Sequence, residues 1–116
     1  MTMTNSDSLI YKSTRGEAKK LLFKDVIFEG LASDGGLYLP DTWPTLDKEL
    51  IKDFSKMSYQ DIAFHVYKPY MDNSISDEVL KKIIQESYKN FTNKEITPLK
   101  KISNNEYLLE LFYGPT

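Results

Sequence analysis

Two adjacent glycines, Gly35-Gly36, follow Ser33-Asp34 and run straight into Leu37-Tyr38-Leu39-Pro40. This stretch constrains the fold more than any other. Upstream of it, Phe23, Val26, Ile27, Gly30 and Leu31 recur at the i, i+3, i+4, i+7, i+8 spacing of one helix face. Glycine adopts the left-handed backbone that a helix C-terminus needs, so the helix is expected to stop at Ser33–Gly36. Leu37–Leu39 then reads as a brief strand closed by Pro40, which has no N–H for a sheet ladder. A helix converted into a strand within so few residues excludes an all-helical or all-β chain. A second β-prone segment, Leu9–Thr14, is punctuated by Arg15-Gly16, and Pro44 breaks the loop after Pro40.

Three further helices carry their own start signals. Asp47 caps a helix whose apolar face is Leu50, Ile51, Phe54 and Met57. Ser58 with Asp61 resembles a capping box and opens a helix expected to bury Tyr59, Ile62, Ala63, Val66, Tyr67 and Tyr70, with Pro69 ending or kinking it. Ser76, with Asp77 and Glu78 placed against the positive end of the helix dipole, opens the last helix; its stripe is Leu80, Ile83, Ile84, Ser87, Tyr88 and Phe91. Pro98 to Phe112 reads as two strands joined at Ser103-Asn104-Asn105. The expected architecture is α+β, a small sheet of three or four short strands covered by about four helices. Residues 1–8 form a disordered polar tail in this reading, and 9–116 form the domain.

Composition narrows the function classes. A chain of 116 residues buries roughly two-thirds of its unfolded surface as one domain. The net charge is −2 and lysines alternate with acidic residues along the chain, which argues against nucleic-acid and anionic-membrane partners, since both need clustered cations. There is no cysteine, hence no disulfide and no thiolate metal site. The opening MTMTNSDS lacks the basic and apolar regions of a signal peptide, and no apolar run approaches the roughly 20 residues that span a bilayer. A cytoplasmic protein is expected.

Taken singly, the chemistry-bearing residues say little. His65 is the lone histidine, and zinc sites take three or four protein ligands, so no metal is expected. Asp34-Gly35-Gly36 can expose backbone N–H groups to a phosphate, but the Gly-Lys-Ser/Thr of a P-loop is missing. Ser13-Thr14-Arg15-Gly16 puts two hydroxyls and a guanidinium at a strand end, the makings of an anion site. The tyrosines at 59, 67, 70 and 88, with Phe91, fall on helix core faces and are expected to pack.

Taken together, three stretches resemble the signatures of threonine synthases. Tyr11-Lys12-Ser13-Thr14-Arg15-Gly16 resembles that family's opening Y-x-S-T-R-G. Gly30-Leu31-Ala32-Ser33-Asp34-Gly35-Gly36-Leu37-Tyr38-Leu39-Pro40 resembles its G-L-A-x-D-G-G-L-Y-x-P, and Leu109 to Thr116 is similar to its L-E-L-F-H-G-P-T. Trp43-Pro44 and Ser58-Tyr59-x-x-Ile62-Ala63-Phe64 fit in order between them. The resemblance covers nearly the whole chain after the tail. It implies the N-terminal domain of a fold-type II pyridoxal-phosphate enzyme that converts O-phospho-L-homoserine and water to L-threonine and phosphate. The family's Schiff-base lysine follows G-P-T within A-F-K-D. It is therefore expected beyond Thr116, with no catalytic residue inside the chain, no productive cofactor binding by these residues alone, and the remaining domains of the enzyme as partners. A chain broken off just short of that lysine is the expectation.

Seven residues are carried over as candidates for the border of the substrate cleft: Ser13, Thr14, Arg15, Asp34, Gly35, Gly36 and Tyr113. Arg15 is the one expected to hold the anionic substrate. Tyr113 stands where the family string has His, and only His titrates near neutral pH. Leu22 stands where the family often has a polar helix cap. The alternative reading is a non-catalytic interaction domain that presents the apolar strand Leu108–Phe112 to a partner.

Overall fold

A computed structural model describes residues 8–115. Most of the expected tail, and Thr116 at the other end, lie outside the described residues. In chain order the elements are β1 (Ile10–Ser13), β2 (Leu21–Leu22), α1 (Phe23–Glu29), β3 (Tyr38–Pro40), α2 (Lys48–Asp53), α3 (Tyr59–Met71), α4 (Asp77–Tyr88), β4 (Leu99–Ser103) and β5 (Glu106–Leu109). A single 3₁₀ turn, Phe54–Lys56, extends α2. No described helix is long and apolar enough to cross a membrane.

The four helices stand as expected in an α+β fold, but the strands form two sheets rather than one. β1 lies at the centre of the first, antiparallel to β2 on one side and β3 on the other, with Tyr11 opposite Leu21 and Pro40, and Ser13 opposite Tyr38. β4 and β5 pair only with each other. The physical reason is locality. A short turn at Ser103–Asn105 brings β4 and β5 together, so their inner edges pair with each other rather than with a distant strand. Pro40 sits at the end of β3, an edge strand, where its missing N–H costs nothing.

All three polar start signals act as caps. The Asp47 carboxylate accepts from the Glu49 amide at 2.8 Å, and Ser58 Oγ accepts from the Asp61 amide at 3.1 Å while donating to the Asp61 carboxylate at 2.7 Å. Ser76 Oγ accepts from the Val79 amide at 3.4 Å. Leu22, by contrast, precedes α1 with no side-chain cap. Pro69 lies inside α3, which runs on only to Met71 before Asp72 leaves the helix at φ +53°.

Helix α1 departs from expectation at its end. Gly30, at φ +71°, terminates it by donating its N–H to the Val26 carbonyl at 3.0 Å, so Gly35-Gly36 do not stop the helix but form a separate turn. Nor is the expected stripe buried. No residue of α1 is, Ile27 and Leu31 are exposed, and Phe28 is 91% exposed. The core lies elsewhere, between α3 and α4, where Ala63, Leu80 and Ile84 are packed round by Phe64, Met71, Ile75 and Tyr88. Val66 and Tyr67 on α3, Ile83 on α4 and Ile51 on α2, all expected inside, are exposed. Tyr88 takes its place among aromatics, edge-on to Tyr59 and tilted against Phe91, each at a centroid separation of 5.0 Å. Tyr11 ties the sheet to this core: its ring is buried and its hydroxyl donates to the Tyr70 carbonyl at 2.6 Å.

Candidate functional site

β1 ends at Ser13, and the chain turns at once through Thr14-Arg15-Gly16. Gly16, at φ +79°, closes the turn with its N–H on the Ser13 carbonyl at 3.0 Å. The loop from Ala32 to Leu37 is folded tightly on itself, because the Gly35 N–H donates to the Ala32 carbonyl at 2.8 Å and the Ala32 N–H to the Gly36 carbonyl at 3.0 Å. The pairing of β1 with β3 brings these two turns together. The Thr14 N–H donates to the Leu37 carbonyl at 2.8 Å, and the Leu37 N–H returns to Thr14 Oγ1 at 3.0 Å.

Asp34 sits at the junction, and both of its carboxylate oxygens are fully engaged. Oδ1 accepts from Ser13 Oγ at 2.7 Å and from the Gly36 amide at 2.9 Å; Oδ2 accepts from the amides of Glu17 at 3.0 Å and Ala18 at 2.9 Å. The Ser13 hydroxyl, with help from the three amides and against some desolvation, holds this carboxyl down to about 2. Ser13 is itself buried, and its Oγ also accepts from the Arg15 amide at 3.1 Å. The two glycines are required for different reasons. Gly35 has φ +82°, and a Cβ there would stand 2.5 Å from Arg15 Nη1. Gly36 has an ordinary φ, but a Cβ would collide with Ser13 Oγ and crowd Thr14 Oγ1 at 2.9 Å.

This geometry decides what the turn can and cannot bind. A phosphate cradle needs amides aimed outward. Here the amides of Gly16, Glu17, Ala18, Gly35 and Gly36 are all taken by internal acceptors, so the protein's own carboxylate occupies the place of an anion. Arg15 is different. It is the single arginine beside fourteen lysines. Its Nη1 donates to the Asp34 carbonyl at 2.8 Å, which fixes the guanidinium at the surface. Among the described residues no carboxylate lies within ion-pair distance of it. A planar fork held on one side and charged on the other suits a phosphate or carboxylate.

Six of the seven candidates, Ser13, Thr14, Arg15, Asp34, Gly35 and Gly36, thus form one hydrogen-bonded knot. Tyr113 has other neighbours: its carbonyl accepts from the Thr92 amide at 3.0 Å, and its ring lies against Phe112 at 4.8 Å. The amides of Glu17 and Ala18 complete the Asp34 cage and were not foreseen. The Asp34 to Gly36 hydrogen bond, an Asx-type turn, is the signal that marks this aspartate as structural. Lys12 at 2.8 Å and Lys20 at 3.5 Å converge on Asp41 just past β3, and the Lys12 hydrogen bond, followed by the two charges, holds its carboxyl below the usual carboxylate range. His65 lies between the rings of Phe54 and Phe64, and no metal-holding group of side chains exists among the described residues.

These residues do not fit pyridoxal phosphate. An imine-forming lysine works desolvated in a pocket. Here Lys68, the one lysine that is not exposed, is bound to Asp77 at 2.7 Å, and Lys81 lies 4.7 Å over the Phe64 ring. The amides of this turn are also committed, so it offers no phosphate loop.

Comparison with known proteins shows the family. The family model described as "Threonine synthase N terminus" matches residues 10–88. Threonine synthase of Pseudomonas aeruginosa is 45% identical over 106 residues, which cover 91% of this chain and 23% of that protein. The Saccharomyces cerevisiae threonine synthase is 42% identical over 116 residues, covering 94% and 23%. The crystal structure of a PLP-bound threonine synthase from Brucella melitensis superposes with a TM-score of 0.88 at 40% identity, over 93% of this chain and 23% of that one. The chain thus spans about a quarter of the length of the relatives it matches. By sequence and by fold, it belongs to the threonine synthase N-terminus family.

Proposed function

We propose that this chain serves as the N-terminal domain of a cytoplasmic, pyridoxal-phosphate-dependent threonine synthase, and that Arg15 binds the phosphate of O-phospho-L-homoserine at the border of its substrate cleft. One observation carries the assignment of Arg15. In a chain with fourteen lysines, the single arginine is braced by the Asp34 carbonyl, packed on a glycine that leaves it room, and, among the described residues, has no carboxylate within ion-pair distance. An arginine kept for internal pairing would have an acid partner; one kept for a bidentate external anion would not. The support from relatives is the name and cofactor of the Brucella melitensis protein and the identities given above.

In this reading the contribution of the chain is orientation. Ser13 and Thr14 fix the strand end, Asp34 locks the turn, and Gly35 and Gly36 let the two segments approach. The guanidinium is therefore aimed before substrate arrives, which lowers the entropic cost of binding. The lysine that would hold the cofactor is assigned to portions of the enzyme other than these residues. The cleft-side role extends to Tyr113 only through an orienting hydroxyl.

The test is steady-state kinetics of a full-length threonine synthase carrying this domain. Arg15→Ala removes a charge-assisted hydrogen bond, and KM for O-phospho-L-homoserine is expected to rise about 10- to 100-fold. Arg15→Lys keeps the charge but loses the fork, and recovers part of that. Unchanged KM in both variants refutes the assignment.

A further inference from the structure

Strands β4 and β5 form an arm that the rest of the described domain leaves uncovered. Every residue of Leu99–Ser103 and of Glu106–Leu109 is exposed. Cross-strand partners share a face, so the pairs Leu99–Leu109 and Lys101–Tyr107 put Leu99, Tyr107 and Leu109 side by side, at 61%, 54% and 52% exposure. Leu111 and Phe112, also exposed, continue beyond the strand. The base of the arm is held firmly. The Glu110 N–H extends the ladder to the Pro98 carbonyl at 3.0 Å, the Thr92 N–H bonds the Tyr113 carbonyl at 3.0 Å, and Gly114 lies against the Phe91 ring. A two-stranded hairpin standing alone in water is marginally stable, and an apolar face of this kind marks an interaction surface.

We infer that the apolar face of this arm docks on the cofactor-binding body of the threonine synthase polypeptide, so that the arm joins the N-terminal domain to the catalytic part. The inference rests on the function proposed above. Two observations select this occupant over a second copy of the chain or an unrelated protein. The N-terminus family model stops at residue 88, short of the arm, whereas the yeast enzyme's match, over 94% of the chain, extends through it. The arm is thus a feature shared with proteins about four times longer than the matched region, and those proteins possess a further body of polypeptide to cover it. The surface it meets must be apolar where Leu99, Tyr107 and Leu109 land, because burying those side chains against polar groups would leave the latter unsatisfied.

A chimera tests this, with residues 1–116 replacing the matching region of the Pseudomonas aeruginosa enzyme. Leu109→Glu and Leu99→Glu are each expected to lower its melting temperature by about 2 °C or more, the scale for a lost buried contact in a protein of that length. The same changes in the isolated 116-residue chain are expected to leave its helical melting curve in place, because Leu99 and Leu109 are exposed there. Lys82→Glu, an exposed change on α4, serves as the control that leaves both unchanged. An unshifted chimera overturns the inference, as does an equal loss in chimera and isolated chain. Sedimentation showing the isolated chain dimerising through Leu109, with the chimera unshifted, assigns the face to a second copy and likewise overturns it. A chimera that folds but makes no threonine refutes the proposed function, while its melting shift still decides whether the arm docks.

Discussion

The Asp34 turn and the β4–β5 arm are both short pieces of β-structure ending in tight turns, and they are finished in opposite ways. In the turn four donors converge on the Asp34 carboxylate and the remaining amides bond acceptors of the same two segments, while the Arg15 guanidinium stays at the surface. In the arm the backbone is paired, but one face carries Leu99, Tyr107 and Leu109 exposed. The turn is complete within the chain and presents one charge. The arm is complete only in its hydrogen bonds and presents a surface. Substitutions in the turn should therefore be felt by the isolated chain, and substitutions in the arm should not.

The largest expected effect tests the turn. Gly36→Ala forces a methyl into Ser13 Oγ and crowds Thr14 Oγ1 and the Arg15 backbone at 3.1 Å, with a buried residue as the immovable partner. Overpacking of that sort costs roughly 2–3 kcal/mol, to be read as a fall in the urea midpoint of the isolated chain. Acid unfolding supplies the next. The folded carboxyl of Asp34 lies at about 2, below its value in the unfolded chain, so the unfolded state takes up the proton first. Its contribution is full above the unfolded value near 4 and is lost as pH falls from there through about 2. Asp34→Asn should flatten that part of the stability–pH curve, and an unaltered curve would show that the cage does not form in solution. Gly35→Ala is smaller, about 1–2 kcal/mol, because its strained φ is joined by a clash with a flexible guanidinium that can swing aside. In the full-length enzyme the same change should raise KM, since the swing misaims Arg15.

How far the sequence reveals these regions depends on distance along the chain. The caps at Asp47, Ser58 and Ser76 were readable because donor and acceptor lie within three residues. The choice between Gly30 and Gly35-Gly36 as the stop of α1 was not, since either glycine can take a positive φ and only the Gly30 hydrogen bond to Val26 decides it. Periodicity marks an apolar face on α1 but does not say that Phe23 and Val26 are half-buried while Ile27 and Leu31 stay exposed. β2, two residues long, is too short to show alternation. The six gathered candidates were readable only as separate motifs. Ser13 meets Asp34 because β1 pairs with β3, a register set by nonlocal contacts that no local pattern encodes. Only motif resemblance groups Tyr113 with them, and its contacts run to Thr92 and Phe112 instead.

The smallest expected effect belongs to the arm and is the sharpest test of the contrast. Ile102 lies at the register shift between Lys101 and Ser103, 63% exposed, as large an aliphatic side chain as the domain leaves in water. Were the arm folded onto its own domain, Ile102→Ser would expose apolar surface worth about 1.5–3 kcal/mol. With no such packing, the isolated chain should shift by less than about 0.5 kcal/mol in urea, the usual result for a surface position. A loss beyond roughly 1.5 kcal/mol would mean that the arm closes against the helices in solution. It would then be, like the Asp34 turn, a structure completed from within.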